Sequence, residues 1–173
     1  IRYWGPTNDD GALVGNWITP LSINKDSEVY AGYSSVYNFG SAGWTKISDT
    51  FEANIEVLEL DPINSDIMYV SLGQQLHKSI DHGVTFLLIQ DFPRTITSIE
   101  VNNDDNMILY ITTQGGIGNV YKSPDQGTNF TEITGTLPFV TKNILKHQPF
   151  SPTNALYLGT SLGVYRYDDI TTD

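Results

Sequence analysis

The chain has 173 residues, 39% of them hydrophobic and 12% aromatic, with no cysteine and a formal net charge of −11. These values are typical of one β-rich globular domain; they exclude disulfide and thiol chemistry and argue against nucleic acid as a partner. No apolar run reaches the roughly 20 residues that a membrane-spanning helix needs, so membrane insertion is not expected.

An apolar residue followed directly by tyrosine recurs four times along the chain, at successive spacings of 39, 41 and 47 residues. The four copies are Val29-Tyr30, Met68-Tyr69, Leu109-Tyr110 and Leu156-Tyr157. A turn rich in Asp, Asn, Pro and Ser precedes each copy, and a strand-like stretch precedes each turn. This period fits four short antiparallel strands, which is the size of one β-propeller blade.

In chain order the repeat predicts blades at about 12–48, 52–90, 95–134 and 139–168 within a single all-β segment, 1–173. The first unit contains a shortened turn at 39–43 that lacks an aspartate, and the last unit lacks its outer strand. Because the sequence begins at Ile1 without methionine, excision from a longer protein is also expected.

The second and third units each contain an octapeptide of the pattern S-x-D-x-G-x-x-F. Its fixed positions are Ser79, Asp81, Gly83 and Phe86 in one copy, and Ser123, Asp125, Gly127 and Phe130 in the other. The aspartate could act as a catalytic carboxylate, or it could accept backbone N–H bonds across a hairpin turn in which glycine takes a positive φ. One active site does not need the same carboxylate in every blade, so the repetition favours a structural turn clamp.

This octapeptide resembles the Asp-box, also called the BNR repeat. The phrase from Asp61 to Ser71, followed by Leu76 to Phe86, is similar to blades of the sortilin/VPS10, xyloglucanase and photosystem II assembly-factor type. The stretch from Pro149 to Tyr167 resembles late blades of secreted Bacteroidetes surface proteins. The resemblance implies a β-propeller with more than four blades, the others lying in the same protein or in a partner chain.

The resemblance is specific for architecture and leaves the activity open, because such propellers include sialidases, glucanases, sorting receptors and assembly factors. A sialidase needs clustered arginines, and Arg2, Arg94 and Arg166 do not follow that pattern. A glucanase needs two carboxylates across a cleft, and neither Glu56 nor Glu100 lies in a recognisable motif. No catalytic residue, no metal site and no cofactor is predicted.

Topology predicts a candidate binding face. In a four-stranded meander the octapeptide turns share one face with the turns between the first two strands, so the other loops lie on the opposite face. The candidate binding residues there are Tyr33, Gln74, Gln75, Phe92, Arg94, Gln114 and Phe139. Aromatic side chains beside amides suit a carbohydrate or protein ligand.

Three functions follow as hypotheses. The first is a non-catalytic secreted or cell-surface scaffold that binds protein or glycan. The second is part of a carbohydrate-active propeller, such as an endoglucanase whose catalytic residues lie elsewhere. The third is a cargo or component of a bacterial secretion or surface assembly.

Overall fold

The computed structural model describes residues 5–8, 11–12, 15–115 and 118–169, and these residues contain β-strands and no helix. Four antiparallel sheets, here called blades 1 to 4, are meanders in which strands consecutive in sequence lie side by side. Accordingly, no helix in the described ranges has the length and apolar character to span a membrane.

The strands follow one another with short connections. Two two-residue strands, β1 Thr7–Asn8 and β2 Gly11–Ala12, pair with each other. Blade 1 contains β3 Leu21–Ile23, β4 Val29–Gly32, β5 Val36–Gly40 and β6 Gly43–Lys46. Blade 2 contains β7 Val57–Leu60, β8 Met68–Leu72, β9 Gln75–Ser79 and β10 Leu87–Asp91. Blade 3 contains β11 Ile96–Val101, β12 Leu109–Thr113, β13 Val120–Ser123 and β14 Thr131–Glu132. Blade 4 contains β15 Lys142–His147, β16 Ala155–Thr160 and β17 Val164–Asp168.

The first strand of each blade is the innermost strand of the arc. Strand β11 packs beside β7 on one side and beside β15 on the other. Because every meander runs outward from this strand, the last strand of blades 1 to 3 lies at the periphery.

The hydrophobic core lies between successive blades. Three clusters of buried apolar side chains lie at the interfaces of blades 1 and 2, 2 and 3, and 3 and 4. The second strands β4, β8 and β12 contribute to these clusters with side chains that are buried on both faces of the sheet. This burial explains why each contains an apolar residue followed by tyrosine.

The repeated tyrosines also join neighbouring blades through polar groups. Tyr69 donates from its hydroxyl to the Gln126 carbonyl at 3.4 Å, and Lys78 donates to the Gln126 side chain at 2.9 Å. One interface further on, Tyr110 donates to the Asp169 carboxylate at 2.6 Å, and Lys122 pairs with the same carboxylate at 2.6 Å. In each case the bonds reach the residues that follow the third strand of the next blade.

Candidate functional site

The two octapeptide turns have the same hydrogen-bond geometry. Asp81 accepts the Thr85 backbone N–H at 2.9 Å and the Thr85 hydroxyl at 2.6 Å. Asp125 accepts the Asn129 backbone N–H at 2.8 Å and the Asn129 side-chain amide at 2.7 Å. These bonds stabilise the ionised form, so the pKa of Asp81 falls to about 2 and the pKa of Asp125 is also lowered. Both carboxylates are occupied by their own turns, which leaves them poorly suited to general acid–base chemistry.

A buried serine closes each turn from the other side. Ser123 donates to Asp125 at 2.8 Å and accepts the Gly127 N–H at 2.8 Å, and Ser79 makes the equivalent bonds to Asp81 and Gly83. Gly127 has φ +93°, and a Cβ at this position would lie 2.6 Å from the Ile89 side chain. Glycine is therefore favoured here by the backbone conformation, and an added Cβ would also displace the Ile89 side chain of the preceding blade.

The aromatic at the end of each octapeptide packs against a phenylalanine of the connection between blades. The Phe86 ring lies 5.5 Å from the Phe51 ring, and the Phe130 ring lies 5.1 Å from the Phe92 ring, both in an edge-on arrangement. These pairs bury the octapeptide aromatics toward the preceding blade.

The turn face also contains the acidic pair Asp104-Asp105. Asp104 accepts the Phe150 backbone N–H at 2.7 Å, and Asp105 accepts the Met107 N–H at 3.0 Å. These carboxylates cap backbone groups of two adjacent turns. Within the described residues, no group of three histidine, aspartate or glutamate side chains could hold a metal ion.

The candidate binding face separates into exposed and buried members. Gln74, Arg94, Gln114 and Phe139 are exposed, and Gln75 is partly exposed on β9. Phe139 is the one aromatic among these exposed members, with 81% of its surface exposed.

Two predicted members of the binding face are core residues, which corrects the sequence prediction. Phe92 is 4% exposed and packs between blades 2 and 3, with its ring 4.9 Å from the Tyr121 ring. Tyr33 is buried and packs edge-on against Tyr37 at 5.9 Å. Their apolar surface is used in packing, so a ligand on this face would not reach these rings.

Sequence reasoning missed a charged cluster on the inner strands. Glu100 of β11 is buried; it accepts Lys146 Nζ at 2.5 Å and the His147 backbone N–H at 2.8 Å. Lys146 of β15 also lies 3.8 Å from Glu59 of β7. Burial raises the pKa of Glu59 to about 8, against the opposing influence of Lys146. The sequence signal for this cluster was a single glutamate in each of β7 and β11 and the lysines of β15.

This cluster contains two neighbouring carboxylates, one of which, Glu59, has a raised pKa, and paired carboxylates are a feature of general acid–base sites. Lys146 lies between them, however, and the Glu100 side chain is only 3% exposed. The arrangement therefore joins the inner strands of blades 2, 3 and 4 and offers a substrate little access to Glu100.

The arginines and histidines of the described residues do not converge on one site. Arg94 lies in the connection between blades 2 and 3, whereas Arg166 of β17 pairs with Asp168 at 2.7 Å. His82 Nδ1 lies 2.7 Å from Asp66, and His147 Nε2 lies 2.8 Å from Asn154 in a different blade. His77 is apart from both, and its Nδ1 is buried without a hydrogen-bond partner among the described residues. Arg2 lies outside the described residues.

A cavity of about 500 Å³ opens between blades 3 and 4. Its lining is mainly apolar and includes Ile133, Leu137, Leu145, Leu156, Leu158 and Tyr165. It lies next to β17, the last strand of blade 4.

Comparison with known proteins supports the architecture. No family model and no curated protein matches the sequence. The fold is similar to the GH74 xyloglucanase from Xanthomonas campestris, with a TM-score of 0.70 and 16% identity over 90% of this chain and 29% of that one. It is similar to the GH74 enzyme from Niastella koreensis, with a TM-score of 0.71 and 19% identity over 91% of this chain and 29% of that one. It is also similar to YCF48 from Cyanidioschyzon merolae, with a TM-score of 0.67 and 13% identity over 90% of this chain and 50% of that one.

These structures are β-propellers, and the predicted all-β arc of propeller blades is confirmed. The chain spans 29% of the length of the first two enzymes and half the length of YCF48. At these identities the similarity establishes the fold and leaves the activity open.

Proposed function

We propose that this chain is part of a non-catalytic secreted or cell-surface propeller that binds a neutral glycan or a protein on its loop face. The proposal rests on a difference between the carboxylates of the chain and the side chains of the loop face. The octapeptide and inner-strand carboxylates form bonds within the fold, whereas Gln74, Arg94, Gln114 and Phe139 are exposed.

The exposed side chains have the chemistry of a sugar- or peptide-binding surface. An aromatic ring such as Phe139 can stack on the apolar face of a sugar ring, and the amides of Gln74 and Gln114 can both donate and accept hydrogen bonds. The secreted or cell-surface location is proposed together with this ligand, because it is where an extracellular polysaccharide would be met.

A second candidate function is part of a carbohydrate-active enzyme. The similarity to GH74 xyloglucanase propellers favours it, since those proteins use this architecture for a polysaccharide substrate. In that case the catalytic carboxylates would belong to blades beyond this arc.

Binding assays on this chain test the loop face, and an activity assay on the complete propeller that contains it separates the two candidates. Isothermal titration with xyloglucan and cello-oligosaccharides is expected to show binding without release of reducing sugar. Phe139→Ala is expected to weaken that binding about tenfold, because a central aromatic contact contributes more than 1 kcal/mol. The matched control is Phe150→Ala, since Phe150 is similarly exposed but lies on the turn face.

The outcomes are distinct. Release of reducing sugar by the complete propeller would replace the scaffold proposal with the enzyme. Equal loss of binding in the Phe139 and Phe150 variants would show that the loop face is not the binding surface. Cell fractionation of the producing organism tests the proposed location.

A further inference from the structure

The outer strands of blades 1, 2 and 3 can be compared position by position, because each pairs with the third strand of its blade in an equivalent register. In every case one outer-strand residue lies opposite the residue that follows a buried apolar side chain near the start of the third strand. These pairs are Lys46 with Tyr37, Leu88 with His77, and Glu132 with Tyr121. Leu88 of blade 2 is therefore the structural equivalent of a lysine in blade 1 and a glutamate in blade 3.

The outer edge of blade 2 lacks the protection that the other two edges have. Soluble proteins place charged side chains on exposed edge strands, since an uncharged edge is a template for pairing with another strand. Lys46 and Glu132 are such charges, and both are exposed. In blade 2 their place is taken by Leu88, and the residue before it is Leu87, where blades 1 and 3 have threonine. Strand β10 is also the longest of the three outer strands, with five residues against four and two.

The apolar character of this edge continues into the octapeptide turn. Ile80, Val84, Leu87 and Leu88 belong to one hairpin, and each exposes between 49% and 71% of its surface. The equivalents of the first two in blade 3 are Pro124 and Thr128. Together the four apolar side chains expose roughly 400 Å², which is the size at which a patch on a soluble protein marks an interaction site.

The main chain of β10 is available for pairing at the centre of this patch. Phe92 donates its N–H to the Gln74 carbonyl at 3.0 Å, and in an antiparallel pair the bonded positions alternate along the strand. His77 is therefore not bonded to its partner Leu88, so the Leu88 N–H and C=O point away from β9. Within the described residues, no strand pairs with the outer edge of β10.

We propose that this edge of blade 2 is a homodimer interface, in which β10 of one copy pairs antiparallel with β10 of a second copy about a two-fold axis at Leu88. The two Leu88 residues then exchange both of their outward main-chain bonds, and the two sheets become one continuous eight-stranded sheet. Such an interface is isologous, because the same patch serves both copies.

The distribution of charge on β10 favours a second copy as the occupant. The strand contains one charged residue, Asp91, at its end. In the antiparallel dimer the two Asp91 residues lie six positions apart along the shared edge, which is about 20 Å. This separation exceeds the roughly 8 Å over which exposed charges interact at physiological salt, so no like charges oppose each other at the centre.

The area of the patch agrees with a dimer. Two copies of the patch, with the polar side chains at its border, bury about 1,000 Å² in total, which is the lower bound for a specific interface. Because β10 runs from the turn face to the loop face, the antiparallel arrangement directs the two loop faces in opposite directions. The dimer contact itself does not depend on any ligand of the loop face.

The first test is the oligomeric state of the complete propeller that contains this chain, measured by sedimentation velocity over a range of concentrations. The parent protein is expected to form dimers reversibly. Leu88→Lys gives blade 2 the residue type of Lys46 and is expected to weaken dimerisation at least about a hundredfold, because two lysines then face each other across the axis. The matched control is Thr131→Lys, which adds the same charge to the outer edge of blade 3 and is expected to leave the dimer unchanged.

Mixing two variants tests the symmetry and guards against a folding defect. Leu88→Glu is expected to be monomeric alone, as Leu88→Lys is, because its like charges also meet at the axis. An equal mixture of the two variants is expected to form heterodimers, since lysine then lies opposite glutamate. In the parent protein, hydrogen exchange at the Leu88 N–H is expected to slow as the dimer forms.

Four results would overturn the proposal. They are a monomeric parent at all concentrations, a dimer that Leu88→Lys leaves intact, an equal loss in the Thr131→Lys control, and a mixture of the two Leu88 variants that stays monomeric.

Discussion

The interface between blades 2 and 3 and the interface between blades 3 and 4 are built from equivalent strands, but only the first contains an octapeptide aromatic. Phe130 packs against Phe92 and Tyr121 in the first interface. In the second, a cavity of about 500 Å³ remains beside Tyr165. The difference teaches that inner strands alone do not fill the wedge between two blades. The outer strand supplies the side chain that does.

The largest effect is expected when the aromatic side chain at the interface of blades 2 and 3 is removed. Phe130→Ala is expected to lower the free energy of unfolding by about 3 kcal/mol, because it removes buried apolar surface and leaves a cavity. Urea unfolding measures this loss. Phe150→Ala, which changes a phenylalanine that is 91% exposed, is expected to stay within about 0.5 kcal/mol of the parent. Similar losses in both variants would show that Phe130 does not fill the wedge.

A smaller effect is expected from the turn that positions Phe130. Gly127→Ala is expected to cost about 2 kcal/mol, because it strains a positive φ and presses on Ile89. Gly115→Ala, at nearly the same φ but in open space, is expected to cost about 1 kcal/mol. The difference between the two unfolding free energies isolates the contact with the neighbouring blade. Equal costs would assign the whole effect to the backbone.

Removal of the turn serine is expected to have an effect of about 1 kcal/mol. Ser123→Ala deletes a buried hydroxyl that donates to Asp125 and accepts the Gly127 N–H. Ser79→Ala is expected to give the same loss, because the turn of blade 2 has the same bonds. Urea unfolding of the two variants and of the double variant tests whether the turns act independently, in which case their losses add. Losses that differ by more than their errors would contradict the shared geometry.

The smallest expected effect is a pH dependence from the inner strands. Glu59 has a raised pKa of about 8 in the folded protein and an ordinary value of 4.5 unfolded, so the folded state retains the proton longer. Its stabilising contribution is present below pH 4.5 and is lost as the pH rises through 8. Between pH 7 and 8 the loss is expected to be less than about 1 kcal/mol. Glu59→Gln is expected to flatten this part of the urea-derived stability profile, and an unchanged profile would contradict the assignment.

The octapeptides show how far local sequence carries a structural prediction. Serine, aspartate and glycine at fixed positions close a turn through bonds within a few residues, so their pattern alone indicates the geometry. The pattern did not reveal the contact of Gly127 with Ile89, because Ile89 belongs to the preceding blade.

The candidate binding face shows where sequence reasoning stops. Phe92 and Phe139 both lie in connections between blades beside proline, and both were expected on the loop face. The structure buries Phe92 against Tyr121 and Phe130, whereas it leaves Phe139 exposed. Whether a connecting aromatic turns inward depends on the partner ring that the next blade presents, and that partner lies about 30 or more residues away in the chain.

The sequence by itself determined the period, the four antiparallel meanders and the turns between their strands, because alternation, tyrosine steps and turn residues act over a few neighbouring positions. Only the tertiary structure decided which aromatics are buried, which carboxylates lie beside a lysine and where a cavity remains. Lys146 is 46 residues from Glu100 and 87 residues from Glu59 in sequence. The three side chains meet only because three inner strands lie side by side. Packing between blades, which no local pattern encodes, sets these outcomes.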